Sequence, residues 1–350
     1  MNISRHSLLF LLSLTLLFGS THLSSVRGES LVYPGGEGPG KGKKVVLISG
    51  DEEYRSEEAL PMLGKILIQH HGFTCTVLFS LHPEKGYIDP NNQTNLPGLE
   101  ALKDADLAIV FTRFRRPSDE ALKPLQDYLE AGKPVIGLRT ATHGFTGKLG
   151  YFGLKILGEQ WVAHHGGHKR EGCRGVVEAA NAQHPILHGV KDVFAPSDVY
   201  TVKNLTDDAT ILLRGAVTET LDPASKPVDG AKNQPMMPLA WIREYTAPGG
   251  AKGQAFCTTM GAAVDLVSDD ARRLIVNAAY HLTGLKVPEA AKVEYVDPYY
   301  PSFYGFINDP QFWSTRNLKP ADFALGKSPP AKDPPGSPKW TFREMGPQEK

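Results

Sequence analysis

Short apolar runs alternate along this chain with longer segments whose apolar positions recur every three or four residues. Residues 44–49 (KVVLIS) form a β-rich run, after which Leu60, Leu63, Ile66 and Leu67 repeat at helical spacing. The alternation continues through 73–79 (FTCTVLF), 106–112 (DLAIVFT), a helical stretch from Ala121 to Ala131, and 134–138 (PVIGL). Runs that are apolar throughout mark strands covered on both faces. The pattern predicts an α/β domain: a doubly wound, mainly parallel sheet flanked by helices.

The second half is richer in strands, at 173–179 (CRGVVEA), 209–215 (ATILLRG), 238–245 (PLAWIREY) and 253–259 (GQAFCTT). Residues 217–236 read as an inserted loop. Asp269 to Leu282 predicts a terminal helix with Ala271, Leu274, Ile275 and Ala278 on one face. Glycine and proline crowd 29–43 (ESLVYPGGEGPGKGK), which predicts a flexible linker. Past residue 285, Tyr299, Phe303, Tyr304, Phe306, Phe312 and Trp313 cluster among prolines without periodicity. An irregular C-terminal arm over 286–350, laid on the domain surface and disordered at its end, is therefore expected beside a main domain at 44–285.

The first residues change the picture. Arg5 and His6 precede an apolar run from Leu8 to Phe18, 11 residues against the about 20 that a membrane helix needs. This fits a secretory signal over 1–28, with Val26-Arg27-Gly28 before the cut; an uncleaved anchor is the alternative. Export to the periplasm or the medium, without membrane insertion after signal removal, follows. Losing Arg5 and Arg27 from the 38 basic residues leaves 36 against 38 acidic ones. So balanced a chain without basic runs argues against nucleic acid and anionic membranes as partners. Three cysteines are too few for a disulfide framework, and Cys75 and Cys257 lie in strand-like runs where a buried thiol is expected.

In parallel α/β sheets ligands bind just beyond the carboxyl ends of the strands. The segments there are Gly50-Asp51-Glu52-Glu53-Tyr54, then Arg113-Phe114-Arg115-Arg116, then Arg139-Thr140-Ala141-Thr142-His143. Three polar segments converging on one edge favour a polar ligand site. A fourth stretch, Trp161-Val162-Ala163-His164-His165-Gly166-Gly167-His168, packs three histidines into five residues. His164 and His168 are zinc-ligand candidates, although no cofactor is firmly implied; a loop hydrogen-bonding a sugar or its own backbone is the alternative. In PLAWIREY, Trp241 and Arg243 share one face of a strand and are candidates for the pocket.

In this order the segments resemble the trehalose-utilisation (ThuA-like) family, whose fold is that of the class I glutamine amidotransferases. The resemblance spans about 44–285 and rests on VVLISGDEEYRSEE, GKPVIGLRTATHGF, LGEQWVAHHGGH, HPILHGV and GQAFCTTMG. Glutamine amidotransferases carry a nucleophilic cysteine in the sharp turn where this chain has Gly137-Leu138-Arg139-Thr140-Ala141. Guanidinium stays protonated and cannot attack a carbonyl, so glutamine hydrolysis by that route is excluded.

The resemblance implies a carbohydrate, in particular a 3-keto sugar or disaccharide made by a partner sugar oxidoreductase. On that expectation His143, His164 and Arg139 are the catalytic candidates. His143, His164 or a carboxylate of Asp51 to Glu53 would act as base, and Arg139 and Arg113 as electrophilic donors. Asp51, Glu52, Glu53, Tyr54, Arg113, Thr140, Trp161, His165, Trp241 and Arg243 are the substrate-binding candidates. The expected activity is that of an isomerase, lyase or hydrolase. A non-catalytic carbohydrate-binding protein and a metal-dependent hydrolase using the HHGGH loop are the alternatives.

Overall fold

A computed structural model describes residues 25–27 and 30–339. Eleven strands form one mixed sheet. They are β1 (Ser25–Arg27), β2 (Ser30–Tyr33), β3 (Lys44–Gly50), β4 (Thr74–Phe79), β5 (Leu107–Thr112), β6 (Val135–Leu138), β7 (Cys173–Val177), β8 (Val193–Ala195), β9 (Thr210–Val217), β10 (Met237–Thr246) and β11 (Lys252–Thr258). The order across the sheet is β1-β2-β4-β3-β5-β6-β11-β10-β9-β7-β8. Among the described residues four α-helices accompany them: α1 (Ser56–His71), α2 (Asp119–Glu130), α3 (Asp269–Leu282) and α4 (Phe312–Arg316).

The centre is parallel: β4, β3, β5, β6 and β11 run in one direction. Both flanks are antiparallel, with β2 against β4 on one side and β10, β9, β7 and β8 on the other. The expectation of a mainly parallel sheet is corrected to a mixed one. The cause lies in the connections: β10 reaches β11 through a tight turn around Gly249 and Gly250, which permits only an antiparallel neighbour. Helices cover the sheet. Leu47 and Ile109 point into a core shared with Leu63 and Ile66 of α1 and Leu274 and Ile275 of α3. Val46, Ile48 and Val110 point the other way, onto Leu122, Leu125 and Leu129 of α2 and a π-helical turn at Phe152–Leu157. Burial on both faces explains why these runs are apolar at every position.

The linker expected at 29–43 is not a linker. Leu31 and Tyr33 are fully buried, β2 pairs with β4 through Leu31↔Val77 and Tyr33↔Cys75, and Tyr33 donates to the Phe323 carbonyl at 2.6 Å. The glycines that follow fold back onto the end of α1, where Gly40 N–H donates to the His71 carbonyl at 2.8 Å. Residues 1–24 and 28–29, most of the predicted signal, lie outside the described residues, while Ser25–Arg27 pair with β2. No described helix is long and apolar enough to cross a membrane. All three cysteines are buried and free.

The arm beyond residue 285 is irregular and runs over the domain, but several of its aromatic residues are core, with Phe303 and Tyr304 fully buried. The disorder expected at its end does not extend to 328–339. Lys332 N–H donates to Ser302 Oγ at 3.0 Å, and Asp333 accepts from Phe303 N–H at 2.8 Å. Residues 340–350 lie outside the described residues.

Candidate functional site

Because β3, β5, β6 and β11 are parallel, with Gly50 opposite Thr112 and Leu138 opposite Thr258, their following turns meet at one edge. Backbone strain is concentrated there. Arg55, Phe114, Arg139 and Lys169 adopt positive φ around this edge, and among the described residues only Asn317 joins them elsewhere without being glycine. Left-handed backbone at a side-chain-bearing residue is costly and persists only where the surroundings enforce it.

The turn after β3 is held from within. Asp51 is fully buried, and its Oδ1 accepts the N–H groups of Glu53 and Tyr54, both at 2.6 Å. Its Oδ2 accepts the Thr140 hydroxyl, which pins this turn to the one after β6. Both residues, predicted to meet substrate, are therefore occupied as a clasp. Glu52 is also committed: Arg113 Nη1 donates to it at 2.5 Å, and so does the buried Arg115. Glu53 is different. Its carboxylate stands 3.6 Å from Arg113 Nε and 3.4 Å from His168 Nε2. Burial, reinforced by the charge of Asp51, pushes Glu53 up to about 7 against the opposing pull of Arg113 and Arg139.

Arg139 occupies the strained elbow after β6, with φ 47° and a side chain 0% exposed. The π-helical turn presses directly on this elbow: a Cβ on Gly153 would stand 1.8 Å from the Thr142 carbonyl oxygen. Arg139 Nη1 donates to the Asp198 and Thr259 carbonyls at 2.6 and 2.7 Å, and Nη2 to Tyr54 Oη and Asp198 Oδ1, both at 3.1 Å. The rings of Tyr54 and Tyr200 lie 4.5 and 3.8 Å from the guanidinium carbon. Protein groups thus take every Nη hydrogen bond, and the electrophilic role expected of Arg139 is replaced by an internal, organising one. Arg113 is part-exposed, but its faces are covered by Phe114 and Phe306, both at 4.8 Å.

The histidine loop reaches the site by pairing with residues 199–201. His165 N–H donates to the Val199 carbonyl at 2.8 Å and Thr201 N–H to the Ala163 carbonyl at 2.9 Å, with His164 opposite Tyr200. Alternation along an extended segment sends neighbours to opposite sides. His164 Nδ1 lies 2.6 Å from Asp198 Oδ2, whereas His165 bonds the Lys232 carbonyl at 2.7 Å and leaves the site. His168 Nδ1 returns to Asp198 Oδ1 at 3.1 Å. Burial acts to raise the Asp198 carboxyl, but hydrogen bonds from both histidines and the Arg139 charge outweigh it and hold the group well below the usual carboxylate range. His164 is one-third exposed, and its Nε2 has no hydrogen-bond partner among the described residues.

An aromatic perimeter surrounds these groups. From Arg113 it runs through Phe114 to His143 (ring centroids 4.9 Å apart) and on to Trp161 (5.3 Å) and His164 (4.8 Å). His168 follows at 4.4 Å and Tyr304 of the arm at 5.2 Å, after which Gly305 and Phe306 lead back to Arg113. Glu53 touches both Arg113 and His168, so its carboxylate bridges two sides of this ring. Burial, with the nearby cations Arg113 and Arg139, pushes His143 down to about 3, which keeps it neutral.

Besides His165, two more candidates lie elsewhere. Trp241 is fully buried in the opposite core, donating to the Leu157 carbonyl at 2.8 Å, and Arg243 bonds the Lys155 carbonyl and Asp208. The alternation in PLAWIREY was read correctly, but the face carrying Trp241 packs on the π-helical turn instead of the site. Conversely, Asp198, Tyr200, Tyr304 and Phe306 were not anticipated. Asp198 follows the three-residue strand β8, too short to register as a strand in the sequence. It also supplies what the loop lacked as a metal site: His164, His168 and Asp198 each offer a ligand atom, all within 4.8 Å of one another. The set suits a divalent cation in donor type, although the guanidinium of Arg139 already balances the Asp198 charge.

The fold and site together define an α/β protein with a polar, aromatic-rimmed site at the carboxyl edge of its central strands. The family model for trehalose utilisation, ThuA, matches residues 44–281, and the chain belongs to that family. Among solved structures it is similar to a ThuA-like protein from Parabacteroides merdae ATCC 43184, at 14% identity and TM-score 0.46 over 71% of this chain and 92% of that one. It is also similar to the N-terminal domain of mmIFT52 (11%, TM-score 0.39, 69% and 97%). A third similarity is to the exo-β-1,4-mannosidase Op5Man5 from Opitutaceae bacterium strain TAV5 (10%, TM-score 0.30, 69% and 36%). No curated protein matches the chain.

Proposed function

We propose that this protein acts in carbohydrate metabolism on an oxidised, 3-keto sugar, and that the first step is removal of a proton from the carbon beside the ketone. The observation that carries this reading is the 2.6 Å contact of His164 Nδ1 with the Asp198 carboxylate. An imidazole whose Nδ1–H is held by a buried carboxylate keeps Nε2 as the basic nitrogen. Glu53 sits across the same cluster, and with its carboxyl near 7 it is partly protonated at neutral pH. As His164 takes the C–H proton, the electron pair moves into the ketone, whose oxygen receives a proton from Glu53; an enediol results. Isomerisation and elimination both start there. His143, neutral between Phe114 and Trp161, serves as wall and hydrogen-bond partner.

The fold is read as the doubly wound, class I glutamine amidotransferase-like kind, with Arg139 on its nucleophile elbow. Family membership, together with a chain start that resembles a secretory signal, supports an exported protein that receives its ketone from a partner oxidoreductase. The test is hydrogen exchange. A 3-keto disaccharide incubated with the protein in D2O should acquire deuterium beside the ketone, as read by NMR. His164→Ala should abolish the exchange, and exchange at the wild-type rate in that variant would refute the mechanism. Binding without exchange in the wild type would instead favour the non-catalytic carbohydrate-binding reading.

One observation favours a second reading. Asp198 completes a three-ligand set with His164 and His168, so a divalent ion such as zinc would sit there and polarise the ketone. Stoichiometric metal in protein purified without added metal, with exchange lost on chelation and restored by zinc, would establish it. Exchange that survives chelation assigns the chemistry to His164 and Glu53 alone.

A further inference from the structure

The arm lies outside the family-matched residues 44–281, yet it closes the perimeter of the site. Its backbone there is fixed. Gly305 N–H donates to the Glu53 carbonyl at 2.7 Å, and the Gly305 carbonyl accepts from Arg55 at 2.9 Å. Tyr304 is fully buried, with its hydroxyl 3.3 Å from the Pro196 carbonyl and 3.2 Å from Lys169 N, and Ile307 is buried on the other side. Between these anchors Phe306 is 44% exposed, the most exposed large apolar side chain among the described residues. The two others, Val176 and Val177, lie on β7. A single ring in water, on a backbone held at both ends and against a polar site, is not a core residue or part of a large apolar patch. Its ring lies over the Arg113 guanidinium, whose other neighbour is Phe114. Trp161 lies further along the perimeter, past Phe114 and His143.

We infer that Phe306 is an outer stacking surface for the second ring of a disaccharide whose oxidised ring lies over Glu53 and His164, so that the arm confers a preference for two-ring substrates over monosaccharides. This rests on the sugar reading given above. The apolar face of a pyranose, with its C–H bonds, suits an exposed phenyl ring, while the oxidised ring needs the acid, the imidazole and Trp161. On the scale of aromatic-pair contacts, about 0.5–1.5 kcal/mol, stacking of a pyranose on this ring corresponds to roughly two- to tenfold in affinity.

The test is a pair of dissociation constants, for 3-keto-trehalose and 3-keto-glucose, measured calorimetrically on the wild type and on Phe306→Ala and Phe306→Trp. The expected result is that Phe306→Ala weakens the disaccharide roughly two- to tenfold and leaves the monosaccharide unchanged, while Phe306→Trp restores the preference. Equal weakening of both sugars, or no change in either, would overturn the inference while leaving the sugar reading intact. A wild type that binds neither sugar would overturn both, and that outcome is distinguishable because no variant is needed to see it. Urea unfolding of Phe306→Ala should match the wild type, which confirms that the comparison reads binding.

Discussion

Replacing Arg139 should reveal what the elbow now does. The guanidinium makes four hydrogen bonds to protein oxygens and is the nearest cation to Asp198, and both side chains are 0% exposed. Arg139→Ala therefore strips a buried carboxylate of its counter-charge and leaves two carbonyls unpaired. Removing one partner of a buried pair costs about 3–5 kcal/mol. Backbone conformation adds a second, separable quantity. At φ 47°, alanine retains the left-handed penalty of roughly 1–2 kcal/mol that glycine does not have. Arg139→Gly should thus be less damaging than Arg139→Ala by about 1 kcal/mol, although both lose the same side chain. The charge component is isolated by adding Asp198→Asn, which removes the stranded anion. The double variant Arg139→Ala/Asp198→Asn should be more stable than the sum of the single losses by on the order of 2 kcal/mol. Urea unfolding at about pH 7.5 measures the wild type, Arg139→Ala, Arg139→Gly, Asp198→Asn and the double variant, with an unchanged m-value as the check on cooperativity. A loss under 1 kcal/mol in Arg139→Ala, or strict additivity in the double variant, would refute the claim that Arg139 is the structural counter-ion of Asp198.

Three further outcomes follow from the same geometry. Glu53 has a folded-state carboxyl near 7 against 4.5 unfolded, so the folded chain binds the extra proton between those values. Its contribution is fully present below pH 4.5 and lost as pH rises through 7, by up to about 3 kcal/mol. Glu53→Gln should therefore gain stability relative to wild type between pH 5 and pH 8 in urea unfolding; an unchanged difference between the two pH values would contradict this. Tyr33→Ala, in the segment that sequence suggested was a linker, should cost about 3–5 kcal/mol, since it empties a buried ring site and loses the bond to the Phe323 carbonyl. A neutral result in thermal unfolding would return residues 29–43 to linker status. Trp241→Ala should lose a similar amount yet leave the affinity for any sugar unchanged in the folded protein, because that ring lies in the opposite core; a selective loss of binding would reinstate it in the site.

The legible parts of this fold are those whose signal is local. Strands β3, β5 and β6 are apolar at nearly every position because both their faces are covered, and α3 shows its period within 14 residues. The three post-strand turns could be located for the same reason, since a strand's end is visible wherever the strand is. Strand β2 was hidden because its Leu31 and Tyr33 alternate over only four residues before the glycines begin, and its partner lies more than 40 residues away. The arm was hidden in a different way. Proline-rich aromatic sequence carries no period, so burial of Phe303 and Tyr304 depends wholly on the surface they meet.

The site shows the same divide at the level of single residues. Composition identified acids, arginines and histidines at the right edge but could not separate those that face a ligand from those that hold one another. Asp51 with Thr140 and Glu52 with Arg115 satisfy each other, and Arg139 is enclosed by two tyrosines and Asp198. Each of these pairs links different post-strand turns, so the expensive polar residues chiefly weld the turns together and hold the strained backbone. What they leave partly accessible is small: Arg113, His143, Trp161, His164 and His168 around the Glu53 carboxylate, on one side of the elbow. The turn after β6 is strained, with φ 47° at Arg139, while its side chain points into a charge network. On the proposed reading, the chemistry at this edge comes from the groups beside the elbow. Asp198 serves both, since one of its oxygens takes the elbow's guanidinium and the other takes the Nδ1–H of His164.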